Sequence, residues 1–290
     1  MTLISMLLAL IIERLAVRSA VWQARPYCQA YLRLSADSPL AKVAQHPQGQ
    51  YLWIILPGAL LALLLGLIDS RLLTLVVNTL ILLLGIGCWH YRQLYKQYLN
   101  AQERGDQEAA FLSMQQIRQD SGSSLEQSSF GQLLVWLNFR YYAAVVFWFL
   151  VLGVFGVITY VLLRQLQEPT ILEGEQDAER FASLQPEGVS KDAVSHLAHW
   201  ADWFPARLFG LGFALVGYFS RASNALLGYF LDFSASNEQL ISEVAAAAEP
   251  LPEASQNTLE DTSAMVQLAK RNMLFFLAFT AILTLSGWLS

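Results

Sequence analysis

The stretch that decides the fold is Leu137–Leu163, LNFRYYAAVVFWFLVLGVFGVITYVLL. It opens on Asn138, Arg140, Tyr141 and Tyr142, then runs from Ala143 to Leu163 without a charge. About 20 such residues cross the hydrocarbon core of a bilayer as a helix. The run therefore predicts a membrane-spanning helix, and its arginine and two tyrosines fall where interfacial residues belong. The cluster is also more than a positive flank. It offers an amide, a guanidinium fork and two phenols within about one and a half helical turns. Such a set can grip a ligand or another polar helix end.

Composition points the same way. The chain has 290 residues, 55% of them hydrophobic and 14% charged, with a mean hydropathy of +0.39. Soluble domains carry about 25% charged residues, so this is the balance of an integral membrane protein, with the lipid bilayer as its first partner. A net charge of −5 gives no case for nucleic acid. Cys28 and Cys88 form no CxxC pattern, and Cys88 lies inside an apolar run, which argues against a disulfide. His46, His90, His196 and His199 are scattered. The His196/His199 pair has i,i+3 spacing, but nothing near it completes a metal set.

Outward from the central stretch, the first helix is Met1–Ile12, continued through Glu13, Arg14 and Leu15. Glu13 reads either as a membrane-edge acid paired with Arg14 or Arg18, or as a carboxylate turned into the bundle, where ionisable groups are costly and placed for use. Residues 18–50 are basic and broken by Pro26, Pro39 and Pro47 into short pieces. Leu52–Ile68 and Leu72–Trp89 are further spans, joined by the polar Asp69-Ser70-Arg71. Residues 90–137 form a water-facing helical segment. Gly105 ends its first helix, Asp106 caps a second over Gln107–Gln119, and Ala110, Phe111, Met114 and Ile117 make an apolar stripe. Residues 164–200 are acidic and extramembrane. Asp202 then suits an N-cap and Pro205 a first helical turn, heading a run Leu208–Phe219 that either crosses or re-enters the membrane. Arg207 at its head either snorkels to the lipid interface or turns inward to bind an anion. Residues 220–271 read as mostly water-facing, with a linker over Glu249–Thr258, and Met273–Leu289 is the last span.

The expected class is thus an all-α polytopic membrane protein, one domain over 1–290, with about four to six transmembrane or re-entrant helices and a helical cytoplasmic segment. Residues 14–50 and 91–142 hold five Lys/Arg each and the loop between them one, which places both in the cytoplasm. There is no P-loop, GxGxxG, GxSxG, HExxH or SxxK pattern. No cofactor or metal is called for, no catalytic residue emerges, and the reading favours a non-enzyme.

Four motifs carry a resemblance: MTLISMLLALIIERL at the start, VWLNFRYYAAVVFW in the centre, ADWFPARLFGLGFALVG, and AKRNM with its apolar tail. Together they are similar to the AmpE family of bacterial inner-membrane proteins. That resemblance implies a regulatory or sensory modulator of β-lactamase induction and cell-wall recycling, with the AmpD amidase as functional partner. The family is itself similar to the CobD/CbiB proteins of cobalamin synthesis, whose activity is amide-forming. Here Phe147-Trp148 and Pro205-Ala206-Arg207-Leu208 match that pattern. VWQARPY stands where a His-Pro-Val is expected, and Ile117-Arg118-Gln119-Asp120-Ser121 replaces a Val-Gly-Arg-Asp-Thr turn. These departures count against the ligase alternative, for which Glu13 or Asp106 would be the general base. The shared frame implies that Glu13, Arg14, Asn138, Arg140, Tyr141, Asp202 and Arg207 line a polar cleft, open to an anionic cell-wall-derived ligand.

Overall fold

A computed structural model describes residues 2–16, 20–36, 38–46, 48–68, 70–123, 125, 128–167, 189–249 and 258–287. All regular structure among them is helical. The acidic stretch and the linker expected at 164–200 and 249–258 lie largely outside these residues. Among the described residues three helices are long and apolar enough to cross a membrane, Gly49–Leu67, Phe130–Gln167 and Leu259–Leu285, and Arg71–Gly85 with Trp89–Glu103 qualifies as a bent pair. The chain folds into two compact units, one from residues 1–89 and 145–198, the other from 90–144 and 199–290.

In the first unit, α1 (Thr2–Ala16) packs along α5 (Arg71–Gly85). Between them in sequence come α2 (Arg25–Ala36), α3 (Leu40–Ala44) and α4 (Gly49–Leu67). Ser70 caps α5 by accepting from the Leu73 amide. The surprise is α9 (Ala144–Gln167), which the sequence presents as one straight span. At Gly153 the backbone has φ 61° and ψ −143°, a region essentially closed to residues with a side chain. The chain folds back there. A Cβ on Gly85 would lie within 3.4 Å of Val145, Val157 and Val161, although a straight helix would hold Val145 and Val161 about 24 Å apart. Likewise a Cβ on Gly156 would stand 2.6 Å from the Trp148 carbonyl oxygen. Phe130–Gln167 would be about 57 Å long as a rod, nearly twice the core of a bilayer; the break divides it into two arms. Gly58 of α4 meets the second arm at Phe155 and Thr159.

In the second unit, α6 (Trp89–Glu103) contributes from His90 onward and is followed by α7 (Gln107–Ser121). Asp106 caps α7 through the Ala109 amide, and Gly105, at φ 72°, supplies the reversal before it. The helix α8 (Phe130–Asn138) opens with a Ser129/Gln132 capping box. It packs against α12 (Asn237–Ala248) and α13 (Leu259–Leu285). The remaining two helices are α10 (Lys191–Val216), which belongs to this unit from His199, and α11 (Phe219–Phe230). They run back on each other, since Arg207 of α10 reaches the carbonyls of Tyr229 and Phe230 at the far end of α11.

Two expectations change here. Asp202 and Pro205 lie inside α10, which begins at Lys191. Proline removes one rung of the ladder, but buried packing on both sides, by Ala198, Ala206 and Phe209, carries the helix through. Residues 237–248, within the segment expected to be mostly water-facing, are largely buried: Leu240, Ile241, Val244 and Ala245 are fully enclosed, while Glu243 stays exposed.

Candidate functional site

The polar cluster of the central stretch sits on a special piece of backbone. Residues Phe139–Ala143 form a π-helical turn between α8 and α9. Such turns hold one residue more than an α-turn and recur at functional sites. Phe139 is fully buried, against Trp136 at 5.3 Å and Phe209 of α10 at 5.7 Å. Arg140 is 7% exposed, with its guanidinium 5.7 Å from the centre of the Trp136 ring. It is turned into the protein. Tyr141 is buried and meets the Tyr91 ring edge-on at 5.4 Å. Asn138 ends α8, and its amide oxygen is buried with no hydrogen-bond partner. A buried acceptor left so costs about 1–3 kcal/mol, which a donor from a ligand would recover.

Around this turn stand residues the sequence reading passed over. His90 Nε2 lies 2.7 Å from Asp120 Oδ2, and the Tyr91 hydroxyl donates to the Asp120 carbonyl at 3.0 Å. Thirty residues separate the partners, and no periodic pattern links them. The usable signal was one of position: a histidine near the start of one helix and an acid in the last turn of the next, in a short helical pair. Arg118, two residues before Asp120, donates to the carbonyls of Leu125 and Ser128, both at 2.8 Å.

Arg207 is also buried, at 4% exposure. Its Nε donates to Phe230 O at 3.1 Å. Nη1 donates to Trp203 O at 3.0 Å and Asn237 Oδ1 at 3.2 Å, and Nη2 to Tyr229 O at 3.1 Å and Asp232 O at 2.6 Å. Five N–H donors meet five acceptors, so the guanidinium clamps the C-terminal end of α11, where helix carbonyls lack partners and the dipole favours a cation. Trp203 lies between it and Phe233, with the guanidinium 4.0 Å from its ring centre and the phenyl ring stacked at 4.9 Å. An anion at Arg207 would have to compete with all five bonds. Asp202 is buried at 5% exposure, on the same helix.

The predicted cleft is therefore distributed. Arg140 and Tyr141 share one widened turn, and Asn138 immediately precedes it; Asp202 and Arg207 lie on α10, which packs on that turn through Phe139 and Phe209. Glu13 and Arg14 belong to the first unit, where Glu13 is 3% exposed and Arg14 is exposed on α1. Among the described residues no group of three His, Cys, Asp or Glu is placed to hold a metal ion. His199 Nε2 instead contacts the Phe233 carbonyl at 2.8 Å.

A family model described as "Regulatory signalling modulator protein AmpE" matches residues 1–290. This chain belongs to the AmpE family. It is 31% identical over 301 residues to Protein AmpE of Shigella flexneri, covering 99% of each chain. No solved structure is a match. Membership of the AmpE family gives the chain a regulatory role, and its apolar helices make it a membrane protein.

Proposed function

We propose that this AmpE-family protein is a multi-pass inner-membrane modulator of β-lactamase induction and cell-wall recycling, and that it responds to an anionic cell-wall-derived ligand at the π-helical turn, with AmpD as its functional partner. One observation carries the reading: a buried arginine on a turn of non-standard winding lies two residues from a buried, unsatisfied amide oxygen at the end of the preceding helix. Arginine holds carboxylate or phosphate through paired N–H donors, and Asn138 asks for an N–H or O–H. A fragment of peptide-linked sugar offers both kinds of group. Arg207, already saturated, supports the site by fixing α10.

The test uses antibiotic-induced β-lactamase expression in cells carrying variants of the full chain. Arg140→Ala is expected to abolish the AmpE-dependent response while the protein still reaches the membrane. Asn138→Leu separates signalling from folding. Leucine removes the buried, unsatisfied oxygen and keeps a side chain of similar size, so the variant should keep most of its thermal stability and lose the response. Normal induction in both variants would remove the proposal.

A further inference from the structure

The second unit exposes an apolar face built by α10 and α11. On α10 it runs through Trp200, Phe204, Leu211 and Leu215, each 44–56% exposed and all on one side of the helix. The charged groups of the same stretch, Asp202 and Arg207, are buried. On α11, Leu226 is buried and reaches within 3.0 Å of where a Cβ on Gly210 of α10 would stand. Phe219, Leu227 and Phe230 line one exposed flank of α11, and Arg221, Asn224 and Gly228 line the other. The two helices run antiparallel, so with Leu226 against Gly210 the apolar flank of α11 turns to the same side as the α10 stripe. A contiguous apolar surface of this kind marks an interaction face.

The neighbouring helix α13 indicates what covers it. α13 is long and apolar enough to cross a membrane, and beyond Lys270 and Arg271 its Leu274, Phe279, Ile282 and Leu285 are exposed. A basic pair followed by an apolar run is where a span leaves the headgroups. α10 meets α13 at that point: Asn272 donates to Phe209 O at 2.9 Å, and the Phe276 ring stacks on Phe209 at 5.6 Å. The face therefore stands at the level of the bilayer boundary. Polarity within the hairpin separates by side and not by end. At the turn between the helices Phe219 is followed by Ser220 and Arg221, and at the opposite end Leu231 and Phe233 alternate with Asp232 and Ser234, all exposed. A hairpin standing upright in lipid would confine its charges to one end; one lying in the interface confines them to one side.

We propose that α10 and α11 form an in-plane hairpin that beds its apolar side in the bilayer interface, parallel to the membrane surface. The partner is the bilayer itself. Its acyl chains meet Phe204, Leu211, Leu215, Phe219, Leu227 and Phe230, while Arg221 and Asn224 stay among headgroups and water. Arg207, by gripping the end of α11 from α10, holds the two helices as one surface. The surface is separate from the π-helical turn and does not rest on the function proposed there.

The experiment reconstitutes the full-length protein, with Cys28 and Cys88 replaced by alanine, in phosphatidylcholine vesicles. An environment-sensitive nitrobenzoxadiazole dye is attached to single cysteines introduced by Phe204→Cys, Leu215→Cys, Leu227→Cys or Asn224→Cys, with Ile282→Cys as the control inside the span. Dye at 204, 215 and 227 is expected to emit at shorter wavelength and to lose fluorescence to lipid nitroxides near the headgroup more than to nitroxides at the acyl-chain ends, to the same extent at all three positions. Dye at 224 should be quenched by aqueous iodide, and dye at 282 by the chain-end nitroxides. Residues 204 and 215 lie about 16 Å apart along the helix, so different depths for these two would mean that α10 crosses, and would overturn the in-plane hairpin. Iodide quenching at 204, 215 and 227 without lipid quenching would overturn the membrane contact. A disulfide between two copies through Leu227→Cys, again without lipid quenching, would assign the face to a second copy of the chain. Should the cysteine-free background fail to insert, the wild-type chain is labelled in the same vesicles by a lipid-borne carbene. Label on Leu211, Leu215 and Leu227 is expected, and label confined to α4, α8, α9 and α13 would refute the proposal.

Discussion

Arg207 and Tyr229 show how much of this protein rests on single side chains reaching across helices. Truncating Arg207 to alanine removes five hydrogen bonds, uncaps Tyr229, Phe230 and Asp232, and takes the guanidinium from the face of Trp203. Hydrogen bonds from a charged donor are worth about 1.5–3 kcal/mol each at most, with compensation by solvent. The expected loss is on the order of 3 kcal/mol or more in total, read as lower thermal stability in detergent and faster amide exchange over residues 226–233. Arg207→Lys should rescue little, because an ammonium cannot form the fork. An unchanged melting temperature in both would contradict the clamp. Tyr229 donates to Glu243 Oε2 at 2.5 Å and accepts from Gln239 at 3.1 Å. Burial, then the hydrogen bond to Glu243 and its charge, push the phenol from 10.0 up to about 12. A raised pKa means that the folded state prefers the protonated phenol. Its contribution is complete below pH 10 and is lost as pH rises through about 12. Alkaline unfolding monitored by helix content should show this step in the wild type, and Tyr229→Phe should show a smaller one; identical profiles would refute the link.

Helices here are set as much by distant neighbours as by their own residues. Asp106 with Gly105, and Ser129 with Gln132, were legible because a cap is a local event. Gly153 was not. A glycine in an apolar run is ordinary for a membrane helix, and what bends the chain is the packing of Val145, Val157 and Val161 around Gly85, about 70 residues away. Asp202 and Pro205 were misread for the opposite reason: good start signals, overruled by buried contacts upstream. Gly153→Ala tests the fold-back. No atom stands within 4 Å of a Cβ there, so any cost comes from the backbone alone, about 1–3 kcal/mol. Gly66, on α4 with an equally open Cβ position and ordinary helical geometry, is the control. Substitution there should be neutral or stabilising, and equal melting temperatures for the two variants would argue against the break.

At the level of the whole chain, hydropathy and charge located the membrane class and the principal apolar helices. They did not show that residues 1–89 fold with 145–198 and residues 90–144 with 199–290. An interleaved division leaves no compositional seam, because each unit draws on membrane helices and connecting segments alike. The candidate site was legible in its residue types, since Asn138, Arg140 and Tyr141 stand together in the sequence. The winding of their turn and the arrival of His90, Tyr91 and Asp120 were not, because both depend on contacts made after folding.

The clamp at the end of α11 also bears on dissection of the protein. That helix has 12 residues, a length at which an isolated peptide is barely helical in water, and the group that finishes it belongs to another segment, 22 positions or more upstream. A synthetic fragment covering 219–233 should therefore fray, and grafting it onto a foreign scaffold would leave its terminus open unless the donor helix travelled with it.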